Sequence, residues 1–428
     1  MAEADNAAEA RRRAAELLSR ADEEQKRRID PAPTYQRAID EYQEALRLSP
    51  DDADARRGIA DAHIKRAAAE AALHRDNIKE WDAAIAALDD LIRREPKNAD
   101  AHLDRSHAWA MRGLWEREHR NAPGPSCLRG IEDAEAVLRL DPGNGSALAH
   151  RAYARFIVAE SRVLTPDDVL PEFQRVFSDY NAAIEHGYRA YDVYFNRAMA
   201  HRAHAVALEV RGQDPLVAYG QAIADFTEAI RLDPERPPAY GERANIHQFK
   251  GKYLLKTGRD GLPDLEEAIR DLGENIARSA GDPVAHVSRA HARVHAATLR
   301  MGHGQNPMPD LLKALSDCGE AISLDSDFIM AYEVRARIFL TKGQFEHLTG
   351  GDARPTLRLA LKDARHAEAR GSTSGLLYLA MGEIHEAFGE AKEAARAYQL
   401  AVKHGTFALE ALQALKEKIR RMLEFGNG

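Results

Sequence analysis

The chain has 428 residues, of which 30% are charged, and its 60 Lys and Arg against 68 Asp and Glu give a formal net charge of −8. This mild acidity argues against a dedicated nucleic-acid-binding protein, which needs a concentrated basic surface. The two cysteines, Cys127 and Cys318, are far apart and have no metal-ligand spacing, so neither a disulfide framework nor a zinc site is predicted.

The sequence contains no signal for export or membrane insertion. The segment "MAEADNAAEARRR" has no apolar core of the kind found in signal peptides. No apolar run approaches the roughly 20 residues needed to cross a bilayer. We therefore expect a cytoplasmic protein that contacts neither a membrane nor nucleic acid.

Arginine followed by a small residue recurs at intervals of 46 residues. The arginine column contains Arg13, Arg105, Arg151, Arg197, Arg243, Arg289 and Arg335, with Ile59 and Met381 in the same register. The next residue is always Ala, Ser or Gly, and seven positions later a second Ala or Gly follows. Two small residues at this spacing share one helical face and let neighbouring helices approach closely. Each unit is therefore predicted to begin with a helix that packs on both sides.

A second helix is predicted in the later half of each unit. Proline recurs where this helix should begin, at Pro33, Pro125, Pro171, Pro263, Pro309 and Pro355. Proline is well accommodated in a first helical turn, where its missing N–H would have no partner in any case. Further prolines follow the apolar pattern at Pro50, Pro96, Pro142 and Pro234, where they indicate that the helix has ended.

These patterns predict one continuous repeat domain of nine helical hairpins and a capping helix. The hairpins span residues 3–49, 52–95, 98–141, 144–187, 190–233, 237–280, 283–325, 328–371 and 374–404, and the capping helix spans 406–425. The last hairpin is shorter, because the step from Gly382 to Ala394 is 12 residues whereas the equivalent step from Ala244 to Ala268 is 24. The other eight hairpins thus carry a 12-residue insertion, which we expect to lengthen each helix by up to ~6 residues.

The units resemble the tetratricopeptide repeat over nearly the whole chain. The resemblance rests on the "AIRLDP" ending, on the small-residue columns, and on an aromatic or histidine residue four positions before the first of them, at His102, Tyr194, Tyr240, His286, Tyr332 and Tyr378. The period of 46 lies in the range of HEAT repeats, ~40–47, while the last unit has the 34-residue length of tetratricopeptide repeats. The resemblance implies an all-α, right-handed superhelical α-solenoid whose first helices line a concave binding face.

An acidic residue follows each arginine of the column by 28 positions, and both charges are missing from the same two hairpins. Because the charges disappear together, we interpret the two columns as a structural ion-pair ladder joining the helices of each hairpin. Two solvated charged faces are the alternative. Besides Arg13 with Glu41, the ladder consists of Arg105 with Asp133, Arg151 with Asp179, Arg197 with Asp225, Arg243 with Asp271, Arg289 with Asp317, and Arg335 with Asp363.

By the family's pattern, the positions two and five or six beyond the arginine column face the concave side. The predicted ligand-binding groove contains Tyr153, Phe156, Phe195, Met199, Asn245, Gln248, Phe249, His291, His295 and Arg337. An aromatic groove rimmed by polar groups suits a peptide or a helix, although aromatic residues at helical spacing also fit a packed core. A further column, His63, His201, His247 and His385, is spaced by a repeat or more, so we expect polar packing there and no metal site.

No catalytic motif is present, since the sequence lacks GxxxxGK, GxSxG and HExxH. We therefore expect no catalytic residue, no metal and no cofactor. The predicted function is a non-catalytic scaffold or adaptor for a protein or peptide partner. The alternative is a sensing or regulatory module of an assembly that contains an enzyme, for example a caspase-like protease, in which case that enzyme is a partner.

Overall fold

The computed structural model describes residues 2–27, 29–73, 75–165, 167–279, 281–405 and 409–425, and within these ranges the secondary structure is helical, without a strand. Residues 28, 74, 166, 280 and 406–408, which belong to the predicted hairpins and capping helix, lie outside the described residues. The helices are α1 (Ala2–Lys26), α2 (Ala32–Leu48), α3 (Ala53–Ala72), α4 (Ile78–Arg94), α5 (Ala99–Glu118), α6 (Gly124–Leu140), α7 (Gly145–Ser161), α8 (Leu170–Glu185), α9 (Tyr191–Val210), α10 (Leu216–Leu232), α11 (Pro238–Lys256), α12 (Leu262–Arg278), α13 (Pro283–Gly302), α14 (Met308–Leu324), α15 (Ile329–Leu348), α16 (Arg354–Ala369), α17 (Gly375–Ala387), α18 (Ala391–His404) and α19 (Leu409–Phe425).

The helices pack in chain order as hairpins, in which each odd-numbered helix from α1 to α17 lies against the helix that follows it. The chain divides into two compact units, unit 1 of residues 1–229 and unit 2 of residues 230–428. Successive first helices also contact each other directly, as α5, α7 and α9 do in unit 1 and α13, α15 and α17 do in unit 2. The all-α hairpin fold predicted from the sequence is confirmed.

The two columns of small residues lie at the closest helix contacts. Ala152, Ala244 and Ala336 are fully buried, and so are Ala159 and Ala297 of the second column. A larger side chain would not fit at several of these positions, because a Cβ on Gly382 would lie 2.3 Å from the Tyr398 ring. The columns therefore recur because each helix is in contact with neighbours on two sides.

The proline column lies in the first turn of the second helices. Pro33, Pro125, Pro171, Pro263, Pro309 and Pro355 each occupy the first or second position of their helix. At these positions the backbone N–H has no intrahelical acceptor, so proline removes no hydrogen bond. The second helices consequently begin at a point defined by the sequence.

The 12-residue insertion is shared unequally between the two helices. In the third hairpin the first helix has 20 residues and the second has 17, against 13 and 14 in the last hairpin. The first helix thus gains seven residues, the second gains three, and the connecting loop lengthens from three to five. Gly389, which follows α17, adopts a left-handed φ of +78° and ends that helix, whereas Gly343 in the same column lies inside α15.

The last helix, α19, covers the apolar end of the final hairpin. Leu415 and Ile419 of α19 are buried in the same apolar cluster as Tyr398 of α18. Lys418 forms an ion pair with Glu386 at 2.6 Å. A helix placed in this way shields the apolar side of the hairpin formed by α17 and α18 from water.

Candidate functional site

Each arginine of the ladder lies against its acidic partner within one hairpin. The six aspartates are only 2–6% exposed, and each accepts two hydrogen bonds from its arginine. The shortest distances are 2.6 Å for Arg105–Asp133, 2.6 Å for Arg151–Asp179, 2.5 Å for Arg197–Asp225, 2.6 Å for Arg243–Asp271, 2.7 Å for Arg289–Asp317 and 2.7 Å for Arg335–Asp363. Each of these ion pairs joins the two helices of one hairpin.

The second hairpin, which lacks the ladder pair, has another ion pair nearby. Arg56 Nε lies 2.7 Å from Asp90 Oδ2, and the Arg56 side chain is 7% exposed. These residues lie three positions before Ile59 and three beyond Ala87, the two uncharged members of the columns. The repeat register gave no sign of this pair because it falls outside both columns.

The four histidines in one column contact nearby groups individually. His63 Nδ1 is 2.7 Å from Glu80, His247 Nδ1 is 2.9 Å from Asp264, and His385 Nδ1 is 2.5 Å from Glu390. His201 is stacked on the Phe177 ring with centroids 4.1 Å apart. Within the described ranges no group of three or more His, Cys, Asp or Glu side chains could hold a metal ion.

A cavity of about 340 Å³ opens in unit 1 where α5, α7 and α9 pack side by side. We call it the aromatic cavity, since three tyrosines and two histidines contribute to its wall. Its lining residues are His107, Met111, Ala149, His150, Tyr153, Tyr180, Tyr188, Asp192, Val193 and Asn196. Most come from the first helices, while Tyr180 lies on α8 and Tyr188 on the loop that follows it. The aromatic cavity is thus lined mainly by first helices.

Burial keeps the titratable rings of the aromatic cavity uncharged. It lowers the pKa of His150 to about 4, with a smaller contribution from His107. It also lowers the pKa of His107, an effect that Asp192 opposes. Burial raises the pKa of Tyr153 to about 12 and that of Tyr180 well above its usual value. At neutral pH the imidazoles are therefore neutral and the phenols are protonated.

Two polar atoms in the aromatic cavity have no partner. Among the described residues, Tyr180 Oη and His150 Nδ1 are buried and make no hydrogen bond. Unsatisfied buried groups are rare in folded proteins, and they favour a ligand that can donate or accept a hydrogen bond. Tyr153 Oη makes only a weak contact with Met111 Sδ, at 3.9 Å.

The predicted groove residues of unit 1 are only partly brought together. Tyr153 lines the aromatic cavity, whereas Phe156 is 4% exposed and belongs to the apolar core of its hairpin. Phe195 packs edge-on against Phe226, with centroids 5.5 Å apart. Met199 is half-buried against the same core as Phe156. The position five beyond the arginine therefore faces the core in α7, which is why Phe156 is not part of the cavity.

In unit 2, His291, His295 and Arg337 lie together, while Phe249 is a separate exposed ring with 41% of its surface accessible. Gln248 is buried and Asn245 is half-buried. Lys252, which the sequence patterns did not single out, adds to burial in lowering the pKa of His291 and of His295, and its own pKa is lowered by burial and by Arg337. It lies nine positions beyond Arg243, outside every repeating column.

The chain is thus an all-α repeat protein with a tetratricopeptide-like arrangement of hairpins. No family model matches it, and no curated protein matches it. None of the helices in the described part of the chain is both long enough and apolar enough to span a membrane.

Several solved structures are similar to this chain. A tetratricopeptide repeat protein from Parabacteroides merdae has 14% identity and a TM-score of 0.45, covering 74% of this chain and 98% of that one. The carboxyl-terminal part of a repeat protein from Cytophaga hutchinsonii has 14% identity and a TM-score of 0.41, with coverages of 71% and 98%. The human IFIT1 dimer with m7Gppp-AAAA has 13% identity and a TM-score of 0.42, with coverages of 98% and 87%. At these scores the similarities support no conclusion about what this chain binds.

Proposed function

We propose that this chain is a non-catalytic scaffold that binds a peptide, and that an apolar side chain of the peptide enters the aromatic cavity. The observation that carries this proposal is the cavity itself, which has aromatic walls and lies on three neighbouring first helices. Concave apolar sites with a few convergent polar groups are the usual form of a binding site. Tyrosine is also enriched among the residues that dominate binding energy in protein interfaces.

Apart from Asp192, the titratable groups of the wall are uncharged, which favours an uncharged anchor residue beside them. His107 and His150 are neutral and Tyr153 is protonated, so a buried charge on the ligand would find no opposite charge among these three groups. Tyr180 Oη and His150 Nδ1, which are buried without a hydrogen-bond partner among the described residues, would pair with a peptide N–H or C=O group if the walls open as the anchor enters. This combination suits a short segment that contributes one apolar side chain and its own backbone.

The test is selection of peptides from a random library displayed on phage, followed by affinity measurements on the full chain. Tyr153→Ala removes an aromatic wall of the cavity, and we expect it to weaken binding of the selected peptides by roughly 10-fold or more. Circular dichroism checks that the variant remains folded.

The matched control is Val217→Ala, which removes an apolar side chain that is 75% exposed on α10 of the same unit. Its affinity for the selected peptides should equal that of the wild type. If Tyr153→Ala and Val217→Ala bind the peptides equally well, the aromatic cavity is not the binding site. The alternative of a regulatory module remains a prediction, and detecting an enzyme that associates with the chain would test it.

A further inference from the structure

One guanidinium and two imidazole side chains lie together on two first helices of unit 2, and a lysine on the first helix before them adds to burial in lowering the pKa of both imidazoles. This cationic cluster consists of Lys252 on α11, His291 and His295 on α13, and Arg337 on α15. Arg337 Nη1 donates a hydrogen bond to His291 Nε2 at 3.0 Å, and the two imidazole centroids are 4.6 Å apart. All four side chains are half-buried, so a ligand in solvent can reach them.

Neither cation of the cluster forms an ion pair with a carboxylate in the part of the chain that the structure describes. The neighbouring cations on the same helices do form such pairs. Their distances are 3.0 Å for Lys250–Asp264, 2.5 Å for Arg293–Asp317 and 2.7 Å for Arg335–Asp363. Lys252 and Arg337 are therefore exceptions in a protein whose first-helix cations are commonly compensated.

The electrostatics of the cluster show an excess of positive charge. Burial lowers the pKa of Lys252, and Arg337 lowers it further. Burial also lowers the pKa of Arg337, an effect that Glu383 on α17 opposes, while Glu383 accepts a hydrogen bond from Gln344 at 3.2 Å. Two half-buried cations that form no ion pair with a carboxylate destabilise the folded state and attract anions from solvent.

The two histidines of the cluster are neutral donors. Burial, assisted by the neighbouring imidazole and by both cations, lowers the pKa of His291 to about 2. Burial and the same two cations lower the pKa of His295 to about 3. Since His291 Nε2 accepts from Arg337, the proton of that ring is on Nδ1. His295 Nε2 is buried without a hydrogen-bond partner among the described residues.

The number of donors and the charge together match a phosphoryl group. A guanidinium has five N–H donors and an ammonium has three, which exceeds what the two oxygens of one carboxylate can accept. A phosphorylated side chain has three acceptor oxygens and a charge of about −1.5 to −2. It would therefore compensate both cations, whereas one carboxylate would leave a positive charge unmatched.

We propose that the cationic cluster binds a phosphoryl group carried by a peptide, an inference that rests on the peptide-binding function proposed above. A polynucleotide fits less well, because it carries a phosphate on every residue and the chain as a whole has a net charge of −8. The exposed Phe249 ring lies one turn before Lys252 on α11, so the two share a helical face. This ring can pack against a residue beside the phosphorylated one.

The experiment uses the full chain and three probes. Inorganic phosphate is added in thermal unfolding measurements and is expected to raise the unfolding midpoint. A peptide library with a fixed phosphoserine is then compared with the same library carrying serine, and with a 5′-phosphorylated oligoribonucleotide. We expect phosphoserine peptides to bind at least about 10-fold more tightly than their serine counterparts, since charge-assisted hydrogen bonds to phosphate are strong.

Two variants and a matched control locate the site. Lys252→Gln and Arg337→Gln should each remove most of the preference for phosphoserine. Lys256→Gln removes an exposed positive charge one turn further along α11 and should leave that preference unchanged. Without ligand, Lys252→Gln should also unfold at a higher temperature than the wild type, because it removes an uncompensated charge. A purely structural lysine would give the opposite shift.

The outcomes separate this inference from the proposed function. If serine peptides bind as tightly as phosphoserine peptides, the phosphoryl site is wrong while the peptide scaffold stands. If phosphate stabilises the chain but no peptide of either kind binds, the peptide is not the carrier and the proposed function also fails. Preference for the oligoribonucleotide would overturn the peptide as carrier. A midpoint unaffected by phosphate would overturn the site itself.

Discussion

Asp363 and its five equivalents are charged side chains that folding removes almost completely from water. Removing a carboxylate from water is costly, and the bidentate contact with arginine offsets that cost without necessarily adding net stability. Two hairpins of the same molecule lack the pair, because Ile59 and Met381 occupy the position where the other hairpins have arginine. Met381 is 7% exposed and packs in the same apolar cluster as Ala397. A hairpin can thus form with or without this pair, but one partner alone would leave a buried charge.

Removing one partner of the ladder should therefore cost more than removing both. Arg335→Met leaves Asp363 buried without its guanidinium, and we expect the free energy of unfolding to fall by about 3 kcal/mol. The double variant Arg335→Met, Asp363→Ala reproduces the uncharged pair of the last hairpin, and it should recover most of that loss. Urea denaturation followed by circular dichroism measures both.

The control is Arg270→Met, which breaks an exposed pair with Glu267 at 2.8 Å. Exposed pairs contribute little, so its effect should stay within about 0.5 kcal/mol. A double variant as unstable as Arg335→Met would contradict the ladder as an obligatory pair.

At the scale of helices, the small-residue columns determine how closely neighbours approach. Gly343 lies inside α15, where a Cβ would be 2.8 Å from Leu357 Cδ2. Gly389 in the same column instead ends α17 with a left-handed φ of +78°. One column thus serves two roles, which explains why the first helix continues in eight hairpins and stops in the last.

Substitutions of helical glycines should separate packing from helix propensity. Gly343→Ala should lower the free energy of unfolding by about 1–3 kcal/mol, because the added methyl group overpacks the contact with Leu357. Gly319→Ala is the matched control, since Gly319 lies inside α14 with no neighbouring atom within 4 Å of its Cβ position.

In the control, alanine should stabilise the helix by about 0.5–1 kcal/mol, as it does at other exposed helical positions. The comparison is made by thermal and chemical denaturation. If both variants shift stability in the same direction and by similar amounts, close packing at Gly343 is not what selects glycine there.

The 46-residue repeat predicts the helices and hairpins well. It predicts the residues of the aromatic cavity and of the cationic cluster poorly. Hairpins, proline-marked helix starts and small-residue columns recur, so the sequence displays each of them many times. The aromatic cavity uses residues that do not recur together, such as Tyr188 from a loop and Tyr180 from the face of α8 that sequence patterns assign to the core. Lys252 of the cationic cluster likewise lies outside the columns. Periodicity indicates residues that have the same packing role in every repeat. A binding site depends on residues that differ between repeats.

At the scale of the whole molecule, buried neutral histidines make stability depend on pH. Burial, with smaller contributions from Arg197 and His204, lowers the pKa of His201 from 6.5 to about 3. His150 and His295 are shifted in the same direction by burial. Below pH 6.5 the unfolded chain binds protons at these rings while the folded chain does not. The stabilisation is therefore complete above pH 6.5 and is lost as the pH falls toward 3.

The free energy of unfolding should accordingly decrease between pH 6.5 and 5. Each such histidine contributes a slope of up to about 1.4 kcal/mol per pH unit. His201→Gln lowers stability at pH 7 because it loses the stacking on Phe177, but its slope over this range should be smaller than that of the wild type, so the difference narrows as the pH falls. Chemical denaturation at several pH values gives the slopes.

His303→Gln, at an exposed histidine, is the control and should retain the wild-type slope. An unchanged slope in His201→Gln would show that this ring does not take part in the pH dependence.

Each ladder arginine pairs with a buried carboxylate 28 residues later, inside its own hairpin, even where it also contacts the preceding hairpin, as Arg105 does with Asp89. Adding or removing one 46-residue unit would leave the remaining ladder pairs intact, since none of them is made across a boundary between hairpins. Duplication and loss of units can then change the number of repeats without creating a buried charge. The number of repeats can therefore change by duplication. The binding surface can then diversify at positions that helix packing and the ion pairs do not constrain.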